Sequence, residues 1–411
     1  MSIENILMVS YYYPPMARTH SRYYFAKYLA DNGFKVDVLK SDRLHGFMCP
    51  LNIDNSITEE NKNINIHSMK AMNWSILGDI LAMMSFTPDQ FYCWYTAFKK
   101  NIHNIIKNIN LETSAILSIY PAFTSLMAGH FIKEKYNIPF IVDFRDEFLD
   151  VQAPSNGRKR VFLKSWEEKI INSADLISVS TNMAKDSLQN RYQISDEKIS
   201  VTHNGYDQPI TIQESVKKNK DTFKIIYAGA ISAHQKPEIL CQAYKLLLEK
   251  RPDLKNKLSI DFYGPDRPYF HMTFKKHLMP GIAYKGFVPY DEVQKEILKC
   301  DFAFTSLADE KYTYAIPRKI FDYINFEKPI LAAFPKGEAQ QLIENNKLGL
   351  VSHYDDIESL SNNILRLIEE PKLAVQIKNE IQKKKSDFWI GSQIKTLGEK
   401  IKILSPVGAP Q

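Results

Sequence analysis

The sequence predicts an α/β protein made of two doubly wound, parallel-sheet domains, and three observations carry that reading. Short apolar and β-branched runs alternate along the chain with longer segments of helical periodicity, the pattern of repeated βαβ units. The strand candidates fall into two series, separated by the polar, aperiodic stretch Asp207 to Thr222. The chain has 411 residues, more than one core usually serves and ordinary for two domains of roughly 200.

In the first series the strands are Ile6 to Ser10, Lys35 to Leu39, Ile64 to His67, Ala115 to Ile119, Phe140 to Phe144, Leu176 to Val179 and Ile199 to His203. Helical patterns lie between most of them, for example Ser21 to Asn32 with Gly33 as its stop. The second series holds Phe223 to Tyr227, Leu258 to Tyr263, Ile282 to Lys285, Phe302 to Ser306 and Ile330 to Ala333. These bounds predict a first domain over 1–207, a linker over 208–222 and a second domain over 223–371. Beyond Pro371 no strand is left to cover. Yet Ile377, Ile381, Trp389, Ile394, Leu397, Ile401 and Leu404 recur at near-helical spacing and need a surface. The expectation is that 372–404 packs back on the first domain, anchored by Trp389.

Hydrophobic residues at 44% and charged residues at 24% supply ordinary cores and exclude a disordered chain. Cys49, Cys93, Cys241 and Cys300 are far apart, with no zinc spacing, so reduced thiols in a cytoplasm are expected. The apolar start Ile6 to Val9 is too short for a signal peptide, and the stretch from Ile76 to Phe86 is broken by Asp79 and too short for a span. A peripheral contact at the inner face of the plasma membrane stays open. Residues 1–210 carry 22 basic and 22 acidic side chains, whereas 211–411 carry 31 and 25, which weakly favours an anionic ligand on the second half.

Doubly wound sheets bind ligands beyond the carboxyl ends of their strands, so the loops after Ser10, Phe144, Tyr227, Tyr263 and Ser306 are the places to search. The first loop, Ser10 to His20, has no glycine, which argues against a dinucleotide fingerprint. Asp143-Phe-Arg145-Asp146 ends a strand in three charges and reads equally as a salt-bridged strand end or a functional cluster. In the loop after Tyr227, Gly229 and Lys236 lead into a helix, and a diphosphate there would meet backbone N–H groups, a helix dipole and an ammonium. Gly264 opens the loop after Tyr263. Pro317 stands at a natural first helical position, with Arg318, Lys319 and, one turn on, Asp322 in reach of a ribose hydroxyl. A solvated helix face is the plainer alternative for these three. No His-Glu-x-x-His, no Walker loop and no nucleophile elbow is present. The aromatic residues do not alternate with basic ones, so nucleic acid is not an expected partner.

In this order the segments resemble retaining glycosyltransferases of family 4, most of all the bacterial surface-polysaccharide branch. The resemblance rests on Tyr11-Tyr-Tyr-Pro-Pro-Met16, Phe25-Ala-Lys-Tyr-Leu29, Pro88-Asp89 with Trp94, and Ile138 to Asp146. It continues through Ala174 to Ser180, His203-Asn-Gly-Tyr-Asp207, Gly286-Phe-Val288, Pro317 to Tyr323 and Glu327-Lys-Pro-Ile-Leu331. It implies a GT-B fold: two Rossmann-like domains facing a cleft, with a C-terminal helix crossing back to the first. It also implies an enzyme that moves a sugar from a nucleotide diphosphate donor, a UDP-sugar, to a saccharide or lipid-linked saccharide without metal or cofactor, the nucleotide-sugar being a substrate. The implied catalytic residues are Arg145, Asp146 and Lys236. The implied donor site is Gly229, Lys236, Gly264, Phe287, Val288, Pro317, Arg318, Lys319 and Asp322, with Arg18 and Asn204 on the acceptor side. The pattern departs from the family's in three places. Pro15 to Arg18 replaces its glycine-rich first loop. Its Arg/Lys pair falls on Ala230 and Lys236. Its two spaced glutamates fall on Tyr314 and Asp322, with Glu310 a substitute for the first. Two rivals follow: a UDP-sugar 2-epimerase, and a degenerate subunit that assists an active partner.

Overall fold

A computed structural model describes residues 2–16, 19–42, 61–69, 87–89, 91–151, 157–210 and 221–404. Arg18, Cys49, the apolar stretch 76–86 and most of the expected linker lie outside the described residues. The chain divides into two compact units, Met1–His203 with Ile390–Gln411, and Asn204–Trp389.

The first unit holds a seven-stranded, wholly parallel sheet of order β3-β2-β1-β4-β5-β6-β7. Its strands are β1 (Asn5–Val9), β2 (Lys35–Ser41), β3 (Ile64–Met69), β4 (Ser114–Tyr120), β5 (Phe140–Phe144), β6 (Leu176–Val179) and β7 (Ile199–Val201). Strands β4, β5 and β6 are buried at every position, as parallel strands covered on both faces must be. Helix α1 (His20–Asp31) links β1 to β2 and ends where Gly33 takes φ +92°. Between β3 and β7 come α2 (Tyr92–Ile106), α3 (Phe123–Tyr136), α4 (Gly157–Ser173) and α5 (Asn182–Tyr192). Asp89 of the Pro-Asp pair is structural. Its carboxylate accepts from Thr124 N at 2.9 Å, Thr124 Oγ1 at 3.2 Å and Phe91 N at 2.9 Å, which ties the start of α3 down. Burial nevertheless pushes its carboxyl up to about 6, against those hydrogen bonds.

The second unit holds a six-stranded parallel sheet, β10-β9-β8-β11-β12-β13. Its elements are β8 (Phe223–Ala228), α6 (Glu238–Lys250), β9 (Leu258–Tyr263), β10 (Ile282–Gly286), α7 (Tyr290–Lys299), β11 (Phe302–Ser306), α8 (Lys319–Asn325), β12 (Ile330–Ala333), α9 (Glu338–Asn345), β13 (Gly349–Ser352) and α10 (Ile357–Glu369). Strand β13 has no counterpart among the expected strands. Gly-Leu-Val-Ser is too short and too weakly apolar to stand out, and it is a strand because its backbone pairs with β12.

The expectation for 372–404 needs correction. Helix α11 (Pro371–Lys384) stays with the second unit, where Ile377 and Ile381 join its core. Glu370 both ends α10 and begins α11, so no connecting chain exists to carry α11 away. Trp389 packs against that second core too and bridges to Tyr206. Only α12 (Ile390–Lys402) belongs to the first unit. Its buried stripe is Ile390, Ile394, Leu397 and Ile401, and a Cβ on Gly398 would stand 3.2 Å from the Phe34 ring and 3.6 Å from Leu29.

Candidate functional site

In the second unit the carboxyl ends of β8 and β9 lie so close that side chains do not fit. A Cβ on Gly264 would stand 1.9 Å from the carbonyl oxygen of Gly229, and Gly229 N donates to Tyr263 O at 2.9 Å. Both positions therefore require glycine at the carboxyl ends of these two strands; Gly264 is buried and Gly229 half-buried. The Lys319 ammonium closes on the same spot: a Cβ on Gly229 would lie 2.6 Å from its Nζ. That ammonium sits 3.9 Å from the centre of the Tyr227 ring and donates to Gln235 Oε1 at 3.3 Å. Burial pulls its pKa down to about 7, with Asp322 opposing the shift.

Asp322, on the same helix, is buried, and burial raises its pKa against Arg318, the Tyr290 hydrogen bond and Lys319. Tyr290 donates to Asp322 Oδ1 at 2.6 Å, and the Arg318 guanidinium lies 5.3 Å from the Tyr290 ring centre and 3.9 Å from the same carboxylate oxygen. The next residue fixes the helix: Tyr323 donates to Phe304 O at 3.0 Å and accepts from Ala228 N at 3.2 Å, pinning α8 to β11 and β8. Pro317 does not start the helix. It precedes Arg318, the capping residue, and α8 is only seven residues long. Its carbonyl accepts from Ile320 N in a tight turn, so proline sets up the turn from just outside.

Lys236 has φ +39° and is exposed immediately before Pro237, the residue that caps α6. Gly264 N donates to Gly286 O at 2.9 Å and its carbonyl accepts from Tyr284 at 2.8 Å, which brings the loop of Phe287 and Val288 beside β9. Phe287 is 48% exposed, unusual for a phenylalanine and suited to stacking. Glu310 is exposed and lies 3.7 Å from His353 Nε2. A cavity of about 510 Å³ opens where β8 and β9 begin, lined by Lys224, Lys257 and Asp301, and it involves none of these residues.

In the first unit, Arg145 turns inward. Its Nη2 reaches Asp143 Oδ1 at 2.5 Å, its Nη1 donates to Thr202 O at 2.8 Å, and its guanidinium lies 5.0 Å from the Phe25 ring centre. Ser178 donates to the same Asp143 oxygen at 2.6 Å, and Asp143 is fully buried. The salt-bridged strand end is thus what Asp143 and Arg145 form. Asp146 differs: burial raises its pKa, and Arg22 and Arg145 oppose the rise. Asn204 opens the second unit.

Sequence reasoning missed Tyr227, Gln235, Tyr290 and Arg22. Among the described residues, no group of three His, Cys, Asp or Glu side chains is placed to hold a metal, and no helix is long and apolar enough to cross a membrane.

Residues 21–208 match the family described as Glycosyltransferase Family 4, and residues 210–384 match Glycosyl transferases group 1. The chain is 25% identical over 105 residues to a D-inositol 3-phosphate glycosyltransferase of Nocardioides sp., covering 24% of this chain and 23% of that one. It is 22% identical over 194 residues to a putative teichuronic acid biosynthesis glycosyltransferase of Bacillus subtilis, covering 44% and 47%. The matches therefore span from a quarter to about half the length of these curated relatives. Among solved structures, one described as trehalose-6-phosphate from E. coli bound with UDP-2-fluoro glucose superposes with a TM-score of 0.71 at 11% identity, over 98% of this chain and 100% of that one. Two parallel-sheet α/β units, each half matched by its own glycosyltransferase family, make this chain a glycosyltransferase of the GT-B fold and family 4 type.

Proposed function

We propose that the protein transfers a sugar, with retention of configuration, from a UDP-sugar to a saccharide or lipid-linked saccharide acceptor in bacterial surface-polysaccharide synthesis, working in the cytoplasm at the inner face of the membrane. The observation that carries the reading is the convergence of the side-chain-free turns at Gly229 and Gly264 with the Lys319 ammonium and the Asp322 carboxylate. A diphosphate needs close backbone approach and a cation, and a ribose needs a fixed acceptor oxygen. The cation missing at Ala230 is supplied from α8 by Lys319. Lys236 and Arg318 add charge for the departing diphosphate, Phe287 and Val288 receive the base, and Asp146 serves the transfer step. The names of similar proteins support this: one is described with a UDP-sugar analogue bound, another with teichuronic acid synthesis.

Calorimetric titration with UDP tests the reading, and absence of UDP binding sinks it. Asp322→Ala should weaken UDP by roughly 1.5–3 kcal/mol for each charge-assisted hydrogen bond lost to ribose. An unchanged affinity would remove Asp322 from the site. Because protein cations are proposed to neutralise the leaving group, transfer should continue in EDTA, and strict dependence on added magnesium or manganese would overturn that mechanism. Conversion of the donor alone to an isomeric sugar would favour the epimerase reading.

A further inference from the structure

We propose that the first unit carries an anion site of its own, with Arg22 as its cation, and that this site takes the phosphate or carboxylate of an acidic acceptor. Naming that anion as the acceptor's rests on the glycosyltransferase reading; the binding site does not.

Arg22 is 8% exposed, and its polar contacts are few for a group with five N–H donors. Nη1 reaches Ser21 Oγ at 3.1 Å, Nη2 reaches Pro121 O at 3.3 Å, and among the described residues the buried Nε has no hydrogen-bond partner. The nearby carboxylates do not fill the gap: Asp143 is bound by Arg145 and Ser178, and Asp146 attracts Arg22 through space without a hydrogen bond to it. The start of α1 adds the positive end of a helix dipole beside Arg22. This helix of 12 residues has no acidic residue in its first turn, and Thr19 at its cap spends its hydroxyl on Met16 O at 2.5 Å. Helix start and guanidinium both call for an anion.

The position fits a ligand. Arg22 follows β1, Pro121 follows β4 and Asp146 follows β5, three adjacent strands of the sheet, so the three meet beyond neighbouring carboxyl ends. Asp146, facing the arginine, sets a competing negative charge beside the place the anion would take.

The test holds the second unit saturated with UDP and titrates pyrophosphate and, separately, glucuronate, followed by calorimetry. At least one should bind the wild-type chain; pyrophosphate marks a phosphate-bearing acceptor and glucuronate a uronic acid. Arg22→Gln should weaken that binding at least tenfold and leave UDP affinity unchanged, and Asp146→Asn should strengthen anion binding several-fold. Should Arg22→Gln fail to fold, Arg22→Lys keeps the charge, loses the forked donors and should still weaken the anion. The proposal is overturned if neither anion binds the UDP-loaded protein, if binding survives the Arg22 variants, or if those variants weaken UDP instead. If UDP itself fails to bind, the donor reading falls, and the dependence of pyrophosphate binding on Arg22 still decides this one.

Discussion

Replacing Arg145 with alanine is expected to destabilise the first unit by about 3–5 kcal/mol, the usual cost of removing one partner from a buried ion pair. Asp143 would be left fully buried beside Ser178, its second oxygen already without a partner, and the carbonyl of Thr202 would lose its donor. Urea denaturation reads the loss directly. The double variant Asp143→Leu/Arg145→Met removes both charges at once and should recover most of the stability, because the penalty lies in the stranded charge and not in the absent attraction. A stable Arg145→Ala protein that binds UDP yet transfers no sugar would instead return Arg145 to the chemistry, as the family resemblance implies.

The strands were legible because parallel strands buried on both faces must be apolar runs, and Phe140-Ile-Val-Asp-Phe144 or Leu258 to Tyr263 can be little else. Where a strand is half-exposed and contains Gly and Ser, as in β13, pairing with β12 decides and local composition is silent. The same division runs through the sites. Lys319 and Asp322 share one short helix, so spacing alone puts them together. Tyr290 and Gln235 reach the same place from elements 32 and 84 residues away from their partners, which no local pattern announces. For Asp143 and Arg145 a signal existed: two residues apart on an extended chain, they face the same side and can pair. The C-terminal helices show a subtler limit. A run of apolar residues reports that a surface is needed, but Glu370, shared between two helices, determines which unit supplies it to α11.

UDP affinity should be greatest near pH 7 and fall toward pH 9, and Lys319→Met should both weaken binding and flatten that dependence. Burial holds the free Lys319 ammonium at about 7, with Asp322 only partly offsetting it. A diphosphate favours the protonated form, so binding above pH 7 must take up a proton that the free protein has released. Affinity then drops by up to tenfold for each pH unit between the free and the bound pKa. Stability moves the other way: with the folded pKa below the unfolded value of about 10.4, the unfolded chain binds more protons between those limits, and Lys319's contribution to stability rises with pH there. Opposite slopes for binding and stability separate this mechanism from alkaline unfolding, which would lower both. Calorimetry at pH 8 in two buffers of different ionisation enthalpy should detect proton uptake in the wild-type chain and not in Lys319→Met. Equal proton counts in the two proteins would mean that the ammonium over Tyr227 never meets the diphosphate, and the donor phosphate would then have to rest on Lys236 and Arg318.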